Sequence, residues 1–285
     1  MEFFNFSSQE KKKIQKALRF ITQEELDIFS LPTDLPVIRT ENFQSECEEF
    51  IDPERILGTE NDRGVVIFPN NRTAKHKIIL NKELIQGISY VYSLSKELIH
   101  LYNFLRFFKD HGHLYTFNQD KLIQTYYFEF LLWTKFQARK ISTRTYLLMN
   151  WHETHGEESP KDGHYTFSGI NIQTTPVLNR LEQLTKTTDS PALRENLWEL
   201  FNDLASYLGE LAFYQNQPAP SSIDEDYPVQ ILDQWLGEKN VLRMYGLLLS
   251  CQKYDDFTTI QQGLRACILN MEEHCKNCFE AMVTS

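Results

Sequence analysis

Apolar positions along this chain follow two rhythms, short unbroken runs in the first third and long helical stripes after it. Near the start, IQKALRFITQEELDIF repeats close to every 3.6 residues and predicts a helix. LPTDLPVI then interrupts with two prolines, and Pro36–Arg39 begins a strand. PERILGTENDRG carries turn chemistry. The runs GVVIFP (Gly64–Pro69) and KHKIIL (Lys75–Leu80) predict two strands, and the connector NNRTA makes them a hairpin.

From 82 to 110 the rhythm becomes helical, with Val91, Leu94, Leu98, Leu101 and Leu105 on one stripe. HGH at 111–113 ends that helix. A second helix is expected over 118–140, and Arg144–Trp151 continues in the same register. Residues 152–175 are rich in Gly, His and Thr and predict an extended polar loop. Two helical blocks follow, 176–215 and 228–283, joined by the Pro- and Ser-rich acidic stretch QNQPAPSSIDEDYP. Strands grouped ahead of helices, rather than alternating with them, predict a mainly helical α+β fold. The expected organisation is an α+β part over 1–150, a His-rich loop over 151–175 and a helical region over 176–285.

Composition narrows the function classes. The 285 residues hold 29 Lys and Arg against 39 Asp and Glu, a net charge of -10, which argues against a nucleic-acid or anionic-membrane surface. No apolar run approaches the roughly 20 residues a bilayer span needs. MEFFNFSSQEKKK sets its apolar run before its basic one, the reverse of a secretory signal, so a cytoplasmic protein is expected. The five cysteines, an odd number, fit reduced thiols. Cys275 and Cys278 form a CxxC beside His274, but no second CxxC exists, and the segment reads as a helix on which both sulfurs share a face. The Leu197, Leu200, Phe201, Leu204 and Leu208 stripe predicts core or a partner face. No GxSxG, GxGxxG or GxxxxGK[ST] is present.

One segment carries candidate chemistry. A helical zinc peptidase motif needs His at i and i+4 to place two imidazoles on one face, and Glu at i+1 as general base toward metal-bound water. SLSKELIHLYNF supplies Glu97 and His100 at the second and fifth positions, with Lys96 at the first. With the preceding hairpin and the later WTKFQA, this stretch resembles zincin-like metallopeptidases of the ImmA/IrrE kind. There a hairpin precedes the motif helix, and a following helix brings a third ligand, usually Glu, in the W-[ST]-E-F-x-A signature of some bacterial members. Lys135 stands at that position here. The resemblance spans roughly residues 35–150 and departs from the family at two of three ligands. A charged Lys offers three donors and no lone pair, so it cannot coordinate zinc.

The resemblance therefore implies a zincin-like core without a metal or other cofactor. It implies a vestigial site of Lys96, Glu97, His100 and Lys135 and, with Arg139, a cationic binding surface for a protein or peptide partner. Two other readings stand beside it. One is an active metal-dependent hydrolase with ligands from the His-rich loop (His152, His155 and His164). The other is an unrelated helical interaction protein in which His100 is a hydrogen-bonded core residue. Glu129, six residues before Lys135, faces away from it on a helix and is a poor substitute ligand.

Overall fold

A computed structural model describes residues 1–24, 26–48, 63–161, 165–167, 175–187, 190–215 and 229–283. The expected turn at 53–62, His164 and the linker at 216–228 lie outside the described residues. The chain is mainly helical with one small sheet, an α+β fold, and divides into two compact units. Residues 1–120 and 141–169 form the first, residues 121–140 and 170–285 the second.

The first unit holds four strands, β1 (Glu2–Phe4), β2 (Pro36–Thr40), β3 (Gly64–Ile67) and β4 (Lys77–Asn81), in the order β1-β2-β4-β3. β1, β2 and β4 are parallel, and β3 closes one edge antiparallel to β4 as the expected hairpin. β3 is buried throughout, the signature of a sheet covered on both faces. Alternation assigns the faces. Val65, Ile67 and Ile79 pack with Phe43 and Cys47 of α2 (Phe43–Glu48), while Gly64, Val66 and Leu80 turn to the other side. There α3 (Ser89–His111) lies against β3 and β4, and α1 (Ser8–Thr22) lies against α3.

Helix α1 opens with a reciprocal capping box, in which Ser7 accepts from the Glu10 amide and Glu10 accepts from the Ser7 amide. The same Glu10 carboxylate accepts from Arg39 Nη1 at 2.6 Å and so ties α1 to β2. Helix α3 ends at Gly112, whose φ of 87° few other residues adopt, as HGH predicted.

Three local expectations change. The first helix stops at Thr22, and the opening EFF is a strand too short to show a period. The expected helix over 118–140 is interrupted at Tyr126 (φ 55°), giving α4 (Gln119–Gln124) and α5 (Tyr127–His155). Helix α5 then runs through the HETH sequence, so His152–His155 are helical rather than loop. The true stop is Gly156, with φ 95°.

The second unit packs the first half of α5 with α6 (Thr175–Thr185), α7 (Ser190–Gln215), α8 (Val229–Leu236), α9 (Asn240–Ser250) and α10 (Phe257–Val283). Its core is aromatic. Phe130 meets Tyr254 and Phe257 edge-on with ring centres 5.9 and 5.8 Å away, and Trp133 lies 5.8 Å from Phe257. The indole of Trp133 and the amide of Gln137 both donate to the Cys251 carbonyl. Gly209 of α7 passes so close to α5 that a Cβ there would lie 2.4 Å from the Phe136 carbonyl. The Leu197–Leu208 stripe of α7 is core, as its spacing predicted.

Candidate functional site

Helix α3 brings Lys96, Glu97 and His100 onto one stretch, and the register of the sheet explains what Glu97 does there. The Asn81 amide donates to the Arg63 carbonyl, so in this antiparallel pair 65 with 79 and 67 with 77 are the hydrogen-bonded partners. The main-chain groups of Gly64 and Val66 consequently point away from β4, toward the open edge. An unpaired buried amide there would be costly. Glu97 supplies the acceptor, and its Oε2 takes the Val66 N–H at 2.9 Å.

The second oxygen of Glu97 faces Lys96, with Nζ to Oε1 at 3.1 Å. Glu97 is almost fully buried (4% of its side chain exposed), whereas Lys96 reaches the surface (27%). At Gly64 a Cβ would crowd Leu80 Cδ2 at 2.6 Å and meet Glu97 Cγ at an ordinary 3.6 Å. Of the carboxylate that resembles a catalytic base, one oxygen thus ties the helix to the sheet edge and the other faces the neighbouring lysine of the same helix.

The other predicted residues are placed element by element. His100 is buried, with Ile99 and Leu101 on either side fully enclosed. Lys135 and Arg139 fall on the part of α5 that belongs to the second unit. Lys135 is half-buried there. Arg139 donates from Nη2 to the buried Glu210 at 2.8 Å, so its charge serves an internal pair within that unit. Glu129 likewise has a structural partner. It takes Arg265 in a two-point fork, Nε to Oε1 at 2.6 Å and Nη2 to Oε2 at 3.1 Å.

The His-rich segment is held by packing where it is described. His152 stacks on Phe20, its Nδ1 lies 2.8 Å from the Gly156 carbonyl, and its Nε2 faces the Tyr165 hydroxyl at 3.3 Å. His155 stacks on Trp151. Cys275 and Cys278 share α10 as expected. Burial, and then the neighbouring Cys278, push the Cys275 thiol up to about 11, which disfavours the thiolate that metals and redox chemistry use. Among the described residues no group of three or more His, Cys, Asp or Glu could hold a metal.

A pairing not evident from the residue order lies in the first unit, where β3 ends, β4 begins and α3 has just finished. His76 stacks near-parallel to Phe108, His113 stacks on Tyr115, and the two imidazole centres are 6.3 Å apart. Burial, then the nearby His113, push His76 down to about 4, so it is neutral at pH 7. His76 was hidden between two lysines of a strand run. The recoverable signal was its pairing with the HGH that ends α3.

No family model matches the sequence, and no curated protein or solved structure matches it either. No helix among the described residues is long and apolar enough to cross a membrane.

Proposed function

We propose that this chain is a non-catalytic, zincin-like protein that acts by binding a protein or peptide partner, its motif helix having become a structural strut. The reading is carried by Glu97. A general base must present its carboxylate to the proton it removes. Here Oε2 accepts the Val66 amide and Oε1 faces Lys96. Lys96 and Lys135 occupy the ligand positions that the resemblance assigns to His and Glu. The antiparallel β3–β4 hairpin leading into α3 has the order expected of such a core. Binding rather than catalysis is the role we assign to a scaffold whose motif carboxylate is engaged by a main-chain amide and the adjacent lysine.

Two measurements on untagged, full-length protein test this. Elemental analysis should find no stoichiometric zinc, and an unfolded casein substrate should stay intact with and without added zinc. One tightly held zinc per chain, lost in His100→Ala, contradicts the reading. So does zinc-dependent cleavage abolished by Glu97→Gln.

A further inference from the structure

The first unit contains a pocket of about 210 Å³ lined by Pro32, Leu35, Pro69 and Ala74 on its apolar side, with Arg72, His76, His113 and Tyr115 among its polar groups. We propose that this pocket binds a small organic carboxylate of about the size of benzoate. The assignment is independent of the zincin-like reading, because the pocket lies beyond the far end of α3, roughly 16 Å along the helix from His100 to His111.

Size comes first. An engineered apolar cavity of about 150 Å³ accommodates benzene, so the larger volume here leaves room for a ring and one polar head. The walls suit an apolar body, since two prolines, a leucine and an alanine need no hydrogen bonds.

The polar groups decide the head. The Nδ1 atoms of His76 and His113 are enclosed and face no open space. The groups left to meet a ligand are the other ring nitrogens, the Tyr115 hydroxyl and the Arg72 guanidinium, none of which forms a hydrogen bond or ion pair within the described residues. By contrast Lys75 is neutralised by Asp34 at 2.5 Å, and Asn71 caps the Thr73 and Ala74 amides. The uncompensated charge on the lining is therefore the single positive charge of Arg72, in a chain with ten more acids than bases. A guanidinium, a phenol and imidazole N–H groups are donors that a carboxylate accepts, the guanidinium with two parallel bonds.

The source of the carboxylate could be a free acid or the end of a peptide chain, and the test separates them. Full-length protein with isotope-labelled histidine rings is titrated at neutral pH with benzoate, with benzyl alcohol as the uncharged counterpart, and with Gly-Gly-Phe. Benzoate should shift the His76 and His113 ring signals saturably, and benzyl alcohol should bind about tenfold more weakly or worse. Arg72→Gln, at an exposed position that should not disturb folding, should weaken benzoate about tenfold. Ala74→Phe, which fills the space and leaves every polar group in place, should abolish the shifts. Tighter binding of Gly-Gly-Phe than of benzoate identifies a chain terminus as the source, and the reverse order identifies a free acid. No saturable shift with either carboxylate up to about 20 mM overturns the proposal. Equal affinity for benzyl alcohol and benzoate, or for wild type and Arg72→Gln, overturns it as well.

Discussion

Two buried carboxylates, one in each unit, are engaged in contrasting ways. Glu129 of the second unit meets a guanidinium fork, and the same Arg265 lies 3.8 Å over the Tyr126 ring and donates to the Ile123 carbonyl. Glu97 of the first unit meets a main-chain amide at a sheet edge and a lysine that reaches the surface. One is an ion pair that joins helices. The other completes a strand. In the second unit Trp133 and Gln137 donate to one shared internal acceptor, the Cys251 carbonyl. In the first, Tyr90, Ser93, Thr143 and Thr145 are buried, and each leaves its hydroxyl without a partner among the described residues.

The sharpest way to break the comparison is at Glu129. Glu129→Ala leaves Arg265 charged and only partly exposed, and should lower stability by about 3–5 kcal/mol, as breaking buried pairs does. Urea denaturation measures it, and a loss below about 1 kcal/mol would mean the fork is a surface pair in disguise.

Next in size is a pH effect confined to the first unit. The His76 pKa is lowered in the fold from 6.5 to about 4, so the unfolded chain takes up its proton first as the solution is acidified. The stability this residue contributes is complete above about pH 6.5 and disappears as pH falls toward 4. The expected loss is at most about 3 kcal/mol. It is read as the difference between the pH profiles of wild type and His76→Phe, and parallel profiles would remove His76 from the account.

At Glu97 the change to Ala strands the Val66 amide and should cost about 1–3 kcal/mol. Glu97→Gln keeps an acceptor for that amide and loses only attraction to a part-exposed lysine, so its effect should stay within about 1 kcal/mol. Equal losses in both variants, by chemical denaturation, would assign the role to charge instead. The smallest effect belongs to Tyr90→Phe. The Tyr90 hydroxyl is buried without a partner among the described residues, and its removal should change stability by about 0.5 kcal/mol or less in either direction. Gln137→Leu in the second unit leaves the Cys251 carbonyl one donor fewer and should cost about 1 kcal/mol, which calibrates the difference between the units.

Much of this architecture was legible in residue order. The β3–β4 hairpin, α3 and its glycine stop, and the helical C-terminal blocks follow from runs, stripes and breakers that act locally. What escaped depends on partners distant in sequence. β1 is three residues long and exists because β2 offers it an edge. HETH looks like loop by composition, yet it stays helical because Phe20 of α1 gives the His152 ring a surface to stack on. The site was legible only as residue types. Lys96, Glu97 and His100 stood out by spacing, but that Glu97 faces a backbone amide depends on strand register, and that Arg139 is taken by Glu210 depends on a helix seventy residues later. His76 and His113 come together only through the end of α3 meeting the start of β4.

The central claim, that Glu97 is a structural acceptor at the edge of β3, is tested most directly by hydrogen exchange at the Val66 amide. That amide points away from β4, so the sheet alone gives it no partner, and its protection rests on Glu97. The account predicts slow exchange in the wild type, slow exchange kept in Glu97→Gln, and fast exchange in Glu97→Ala while the Val65 amide stays protected. Rapid exchange of Val66 in the wild type, or undiminished protection in Glu97→Ala, would contradict it.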